Sequence, residues 1–230
     1  MTLHEYGDVE QGSEAWHDLR RGIVTASTVH RLITPSTVKV ASNDKSRALT
    51  ATLVAERVNG WTDDTFVSFD MMMGHVAEPI VRGLYAKHYG VKVDEMGFMV
   101  REDDRGYKFG YSPDGLVLDV GCLEIKSRHP KEHIATVLAD EVPAEHMAQC
   151  QGGLFASNRE WCDFVSYSPG MALWIKRVYR DLDWFEAIAS AIDTFETVAH
   201  LAESTYRARV AGFPMTERAI NPFDDEITVN

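Results

Sequence analysis

Positive charge is in short supply in this chain. Twenty-three Lys and Arg face 35 Asp and Glu among 230 residues, a formal net charge of −12. That excludes a basic coat for packaging nucleic acid. It still allows an enzyme that passes DNA along a local basic lining. Cysteine is scarce as well: Cys122, Cys150 and Cys162 are the full set. An odd count without metal-ligand spacing argues against a disulfide framework or a zinc ribbon and fits a reducing compartment. No apolar run reaches the roughly 18 residues of a membrane span. Met1 to Glu14 is polar and acidic, unlike a signal peptide. The expectation is therefore a cytoplasmic protein with no membrane partner. His129 and His133 are four apart, but Pro130 between them argues against a helical zinc pair. Glycine-rich phosphate loops, a nucleophile elbow and a dinucleotide fingerprint are all missing, which removes those enzyme classes.

The chain does have enough apolar residues for a core, 45%, and a length that suits one sizeable domain spanning 1–230. Ser13 to Arg21 reads as a short helix capped by Ser13 and stopped by Gly22. Thr25-Ala26-Ser27 opens a second helix through Val29, Leu32 and Ile33, and residues 34–48 read as a loop. Ala48–Val58 forms a helix with Leu49, Leu53 and Val54 inward. Gly74–Tyr89 is amphipathic through Val76, Ile80, Leu84 and Tyr85, with Pro79 in its first turn or two. Strands are expected at about 91–101, 107–112, 115–119, 122–128, 161–167 and 173–179, and helices at 133–139 and 144–156. A helix over 183–208, with Phe185, Ile188, Ile192, Phe195 and Leu201 as its stripe, closes the fold before an acidic tail at 214–230. This order gives an α/β fold, a central mixed sheet flanked by helices.

The chemistry concentrates in Gly110-Tyr111-Ser112-Pro113-Asp114-Gly115 and Leu123-Glu124-Ile125-Lys126. Glu124 and Lys126, two apart on a strand, share a face, and a hairpin brings Asp114 toward it. Converging carboxylates make a hard-oxygen site for Mg²⁺ or Mn²⁺. A lysine beside it can orient or deprotonate a water, or hold a phosphate oxygen. A solvated acid-x-Lys pair is the plain alternative, and the apolar Leu123 and Ile125 argue against it. Glu78, at the start of its helix, and Gln149, in His146-Met147-Ala148-Gln149-Cys150-Gln151-Gly152-Gly153, are satellite candidates. Arg20, Thr25 and Ser27, with Ser112, suit a phosphate pocket at a helix start. A carboxylate-pair glycosidase leaves Lys126 and that pocket without a role.

These blocks occur in a specific order. Glu10-Gln11-Gly12, Trp16-His17, Leu19-Arg20, Gly22 to Ser27, Gly74 with Glu78, Ser112 to Leu116, Leu123 to Lys126, and Met147 to Gln151 resemble the phage lambda exonuclease, or YqaJ-type viral recombinase, family over about residues 10–180. The resemblance implies a restriction-endonuclease-like core. It also implies a Mg²⁺-dependent 5′→3′ exonuclease that digests one strand of duplex DNA and leaves a 3′ single strand for recombination by annealing. By resemblance, Asp114, Glu124 and the Ile125 carbonyl bind one or two ions, Mg²⁺ or Mn²⁺. Lys126 positions or activates the attacking water, and Glu78 and Gln149 complete the catalytic set. Arg20, Ser27 and Ser112 grip the 5′-phosphate. Met71, within three consecutive methionines that also suit a core turn, matches a strand-separating wedge. Double-stranded DNA ends, a phage single-strand annealing protein and a trimeric ring are the implied partners, in a bacterial host. A structure-specific endonuclease and a non-catalytic DNA-end-binding module are the alternatives.

Overall fold

The structure, a computed structural model, describes residues 1–62 and 69–217; the side chains of residues 69–71 also lie outside the described set. Along the chain run β1 (Thr2–Tyr6), α1 (Glu14–Arg20), β2 (Val24–Thr25), a 3₁₀ turn (Val29–Arg31), β3 (Ile33–Thr34), β4 (Lys39–Val40), α2 (Asp44–Asn59) and α3 (Phe69–Tyr89). Then come β5 (Val93–Asp94), β6 (Phe98–Glu102), β7 (Lys108–Tyr111), β8 (Gly115–Val117), β9 (Gly121–Ser127), α4 (Pro130–Ala139), α5 (Ala144–Ser157), β10 (Trp161–Tyr167), β11 (Trp174–Tyr179) and α6 (Leu182–Arg209).

Five strands form a mixed sheet in the order β11-β10-β9-β8-β5. β9 and β10 are parallel, with Glu124 opposite Phe164; the other pairs are antiparallel. Parallel neighbours need a crossover, and here α4 and α5 supply it. A second sheet runs β1-β6-β7-β2. β9 is buried on both faces from Gly121 to Ile125. Leu123 and Ile125 join a cluster with Val81, Tyr85 and Val165, while Cys122 joins the larger core with Phe109, Leu154 and Phe164. Glu124 is therefore an acid inside a central strand, not on a solvated hairpin face.

Local chemistry explains the helix ends. Ser13 caps α1 through the Trp16 N–H, and Asn43 and Ser46 form a capping box that starts α2. Asp181 caps α6. At its far end α2 clamps Gly22: the Gly22 N–H donates to Glu56 Oε2 at 2.7 Å, and Arg57 Nε donates to the Gly22 carbonyl at 2.6 Å. Arg57 also makes a two-pronged pair with Glu196 of α6, at 2.8 and 2.7 Å. This clamp fixes the chain just after Arg20. On α5, a Cβ at Gly152 would sit 3.1 Å from Ala26, so the glycine lets the helix close onto the segment that carries Ser27.

Four expectations need correction. The helix expected from Thr25 is instead β2, paired in parallel with β7 at Thr25–Gly110, followed by the short 3₁₀ turn. Its β-branched residues favour the extended form. The loop expected over 34–48 contains β4 and the start of α2. α3 begins at Phe69, so Pro79 and Glu78 lie in the helix interior and not at its start. Lastly, α3 turns Ala77, Val81 and Tyr85 inward and leaves Val76, Ile80 and Leu84 exposed, as α6 leaves Leu201. Of the tail expected at 214–230, residues 218–230 lie outside the described residues. Among the described residues no helix is long and apolar enough to cross a membrane.

Candidate functional site

The link from β7 to β8 folds Asp114 against β9. Its N–H donates to the Leu123 carbonyl at 3.3 Å, and its Oδ2 accepts from the Ile125 N–H at 2.6 Å. Asp114 is thus pinned beside Glu124 by backbone bonds on both sides of that residue. Lys126 comes two residues later on the same strand face, and its ammonium pairs with Glu124 Oε1. Glu124 is fully buried, and neither carboxylate oxygen has a hydrogen-bond partner beyond that ion pair. Glu78 comes from α3. It lies at i, i+3 and i+7 with the inward Val81 and Tyr85, on a helix packed against β9.

The charges act on one another. Burial pushes Glu124 up to about 8, with repulsion from Asp114 and Glu78 adding to it and Lys126 opposing. Burial and then Asp114 push Glu78 up to about 7, against Arg82 and Lys126. Burial also raises Asp114, against Lys126, the Ile125 N–H and Arg82. Burial alone would lower Lys126, but Glu124 and Asp114 outweigh it and hold the ammonium well above its ordinary value. With its proton held this firmly, Lys126 is a donor, suited to orienting a water or a phosphate oxygen rather than removing a proton.

Three mutually repelling acids, one with bare buried oxygens, fit a hard divalent cation. Among the described residues no three acid, histidine or cysteine groups enclose an ion by themselves. Asp114 and Glu124 would therefore hold it with a backbone carbonyl such as that of Ile125 and with water, as Mg²⁺ prefers. A cleft of about 470 Å³ opens beside Asp114 and Glu78 and is also lined by Gln11, His75, Arg82 and Glu95. Arg82 donates to the Asp114 carbonyl at 3.1 Å and pairs with Glu95 at 2.8 Å. Gln11 donates to the carbonyls of Met96 and Pro113, both at 3.1 Å, and so braces the Asp114 turn. Gln149 is half-buried on α5, which packs against β9, with no hydrogen bond to the acids. Its neighbour Gln151 is structural: it donates to the Tyr179 carbonyl and accepts from the Asp181 N–H.

Arg20, Ser27 and Ser112 do come together. Arg20 donates to Ser112 Oγ and to Ser27 Oγ, each at 3.4 Å, and lies 3.9 Å over the Trp16 ring. Trp16 Nε1 donates to Ser112 Oγ at 2.9 Å. Burial lowers Arg20 to about 10, and among the described residues no carboxylate forms an ion pair with it. A half-buried cation held by hydroxyls and an aromatic face is chemically suited to receive an anion. No α-helix N-terminus contributes, contrary to the sequence reading. Trp16, Gln11 and Arg82 were given no role by that reading. Trp16 and Arg20 at i, i+4 on one helix, and Glu78 and Arg82 at the same spacing, were the available signals. Met71 falls in the first turn of α3, and its side chain lies outside the described residues.

Residues 15–160 match the family described as the YqaJ-like viral recombinase domain. The chain belongs to that family. Its structure is similar to that of an alkaline exonuclease, LHK-Exo, from Laribacter hongkongensis, known also in complex with dAMP. Identity is 28%, over 86% of this chain and 98% of that one, with a TM-score of 0.77. A phage-related exonuclease from Haemophilus somnus 129PT shares the fold at 14% identity and a TM-score of 0.62, over 83% of this chain and 99% of that one. No curated protein sequence matches the chain. The family and these folds agree with the expected α/β, restriction-endonuclease-like core. The family match begins just before Trp16 and ends after α5, so it takes in the acid cluster and the Arg20 pocket together.

Proposed function

We propose that this protein is a Mg²⁺-dependent 5′→3′ exonuclease that hydrolyses one strand of duplex DNA from its end. The observation that carries the reading is the pairing of two sites in one fold: an acid cluster with an ion-paired lysine, and a half-buried arginine framed by serines. The relatives' descriptions as alkaline and phage-related exonucleases support it. A divalent cation, when bound, supplies Lewis-acid neutralisation of charge on the reacting phosphate. Asp114 and Glu124 would hold it, with Mn²⁺ an acceptable substitute. Lys126 donates to the water or to a phosphate oxygen, stabilising charge that develops in the transition state. Glu78 orients the water from the α3 side, and Gln149 adds an uncharged hydrogen-bonding group. Arg20, Ser27 and Ser112 take the 5′-phosphate, which sets the strand end at a fixed distance from the acids.

The 3′ single strand so produced suits a phage annealing protein as partner. We further propose that copies of the chain assemble as a trimeric ring in a bacterial cytoplasm. The test is digestion of linear duplex labelled at the 5′ or the 3′ end, with and without Mg²⁺, beside a covalently closed circle. Metal-dependent early loss of the 5′ label with the circle intact is the expected result. A cut circle would replace this reading with an endonuclease, and bound but uncut DNA would replace it with an end-binding module.

A further inference from the structure

The chain's excess of acid leaves open what holds the DNA backbone beyond the two sites above. One cation next to them has an unusual setting. Arg128 lies one residue past β9, and its N–H still donates to the Tyr167 carbonyl at 2.8 Å. The strand alternation therefore continues, and Glu124, Lys126 and Arg128 share one face, with Arg128 about 7 Å beyond Lys126. Its side chain is 12% exposed. Nη1 lies 2.7 Å from His146 Nε2, and Nε is buried without a hydrogen-bond partner. Glu145 stands 3.5 Å from Nη2 and Glu132 3.9 Å from Nε; both are mostly exposed, and neither forms a hydrogen bond with Arg128. Pairs of that kind contribute little.

His146 supports this arrangement. An arginine can only donate, so His146 Nε2 must be the accepting nitrogen of a neutral ring. Burial first, then Lys126, Arg128 and His30, push His146 down to about 3. The ring also stacks on Phe164, 5.3 Å between centroids, which fixes its plane. His30 in turn bonds the Ser27 carbonyl at 2.9 Å, so this group borders the Arg20 pocket.

We infer that Arg128 is a DNA-phosphate-binding residue on the Lys126 side of the site, aimed by His146, with the Glu145 carboxylate standing where a phosphate oxygen would sit. This rests on the nuclease reading above. Once duplex DNA arrives, the exposed Glu145 and Glu132 turn out to solvent and a phosphate takes both Arg128 Nη2 and Nε. Arg128 is a contact residue and His146 a positioning residue.

The test is duplex binding in EDTA, where no hydrolysis occurs, over a range of salt. Arg128→Ala should weaken binding about tenfold at low salt and flatten the dependence of log K on log salt by about one. Arg128→Lys should keep most of the slope. His146→Phe retains the stacking but loses the acceptor and should weaken binding, whereas His146→Gln, with an amide oxygen, should restore it. Glu145→Ala should tighten binding. Melting temperatures close to that of the parent show that each variant folds. Unchanged affinity and slope in Arg128→Ala, with the parent still cutting DNA, would overturn the inference and leave the nuclease reading standing. A parent that neither binds nor cuts DNA would remove both.

Discussion

Glu78→Gln is the sharpest probe of the acid cluster, because it removes one repelling charge and breaks no ion pair. In the folded protein Glu78 titrates at about 7, against an ordinary value of 4.5, chiefly through burial and the nearby Asp114. Across that interval the folded state keeps a proton that the unfolded chain has released, so stability falls as pH rises. The sign is opposite to that of a salt-bridged carboxylate. At 1.36 kcal/mol per pH unit the gap amounts to about 3 kcal/mol. Solvent screening at this half-buried position reduces it to about 1–2 kcal/mol. The glutamine variant escapes this cost. In EDTA at pH 8.5 it should therefore melt roughly 3–6 °C above the parent, and at pH 4.5 the two should coincide. Saturating Mg²⁺ should narrow the gap at pH 8.5, because the cation neutralises the parent's acids. Thermal denaturation followed by circular dichroism at the two pH values reads all of this. A variant that is less stable at pH 8.5, or a difference independent of pH, would refute the repulsion argument.

Three further outcomes are expected. Lys126→Met should lower nuclease activity at least a hundredfold in a gel assay while duplex binding in EDTA persists. It should also lose stability more steeply than the parent as pH rises above about 4.5, since buried Glu124 loses the ammonium that opposes its desolvation. Arg20→Ala should abolish any preference for a 5′-phosphate over a 5′-hydroxyl end when the two substrates compete, leaving slow cleavage of the hydroxyl end unchanged. Glu196→Ala leaves the half-buried Arg57 with its bond to the Gly22 carbonyl but only the longer ionic contact to Glu203, so chemical denaturation should show a loss of about 3 kcal/mol.

What could be read from the sequence followed the reach of its signals. Apolar runs with turn residues located β6 to β11, the cap Ser13 marked α1, and the apolar stripe through Phe185, Ile188, Ile192 and Phe195 marked α6. The Asp114 and Glu124-x-Lys126 arrangement was legible because strand alternation is a local rule. The segment from Thr25 was misread because its pairing partner, Gly110, lies far along the chain, and such pairing overrides local propensity. α3 was misread for another reason. Its apolar residues occupy two faces, Ala77-Val81-Tyr85 and Val76-Ile80-Leu84, and periodicity cannot say which one meets the sheet. Pro79 then drew the helix start toward itself, although the helix carries it in the interior. The Trp16–Arg20 platform and the Gln11 brace were not given roles because each depends on carbonyls or hydroxyls supplied from the distant 96–113 region.

The net charge is a poor guide to the proposed DNA partner because several of the arginines serve the fold. Arg57 ties α2 to α6. Arg177 binds Asp163 and lies 3.6 Å over Trp161. Arg159 and Arg180 bond backbone carbonyls around the start of β10. Arg20, Lys126 and Arg128, in contrast, border the acid cluster, and each is held by groups that do not fully cancel it: hydroxyls, an overcrowded carboxylate and a neutral ring. Burial, with mutual repulsion adding to it, pushes Glu78 up to about 7 and Glu124 up to about 8, and burial raises Asp114 as well. On the proposed reading a divalent cation would relieve that repulsion, and successive phosphates of one strand would meet Arg20, Lys126 and Arg128 separately. If the proposed nuclease reading holds, affinity for metal and for a phosphate backbone would share this one electrostatic origin, and the net charge of −12 would count against nucleic-acid contact elsewhere.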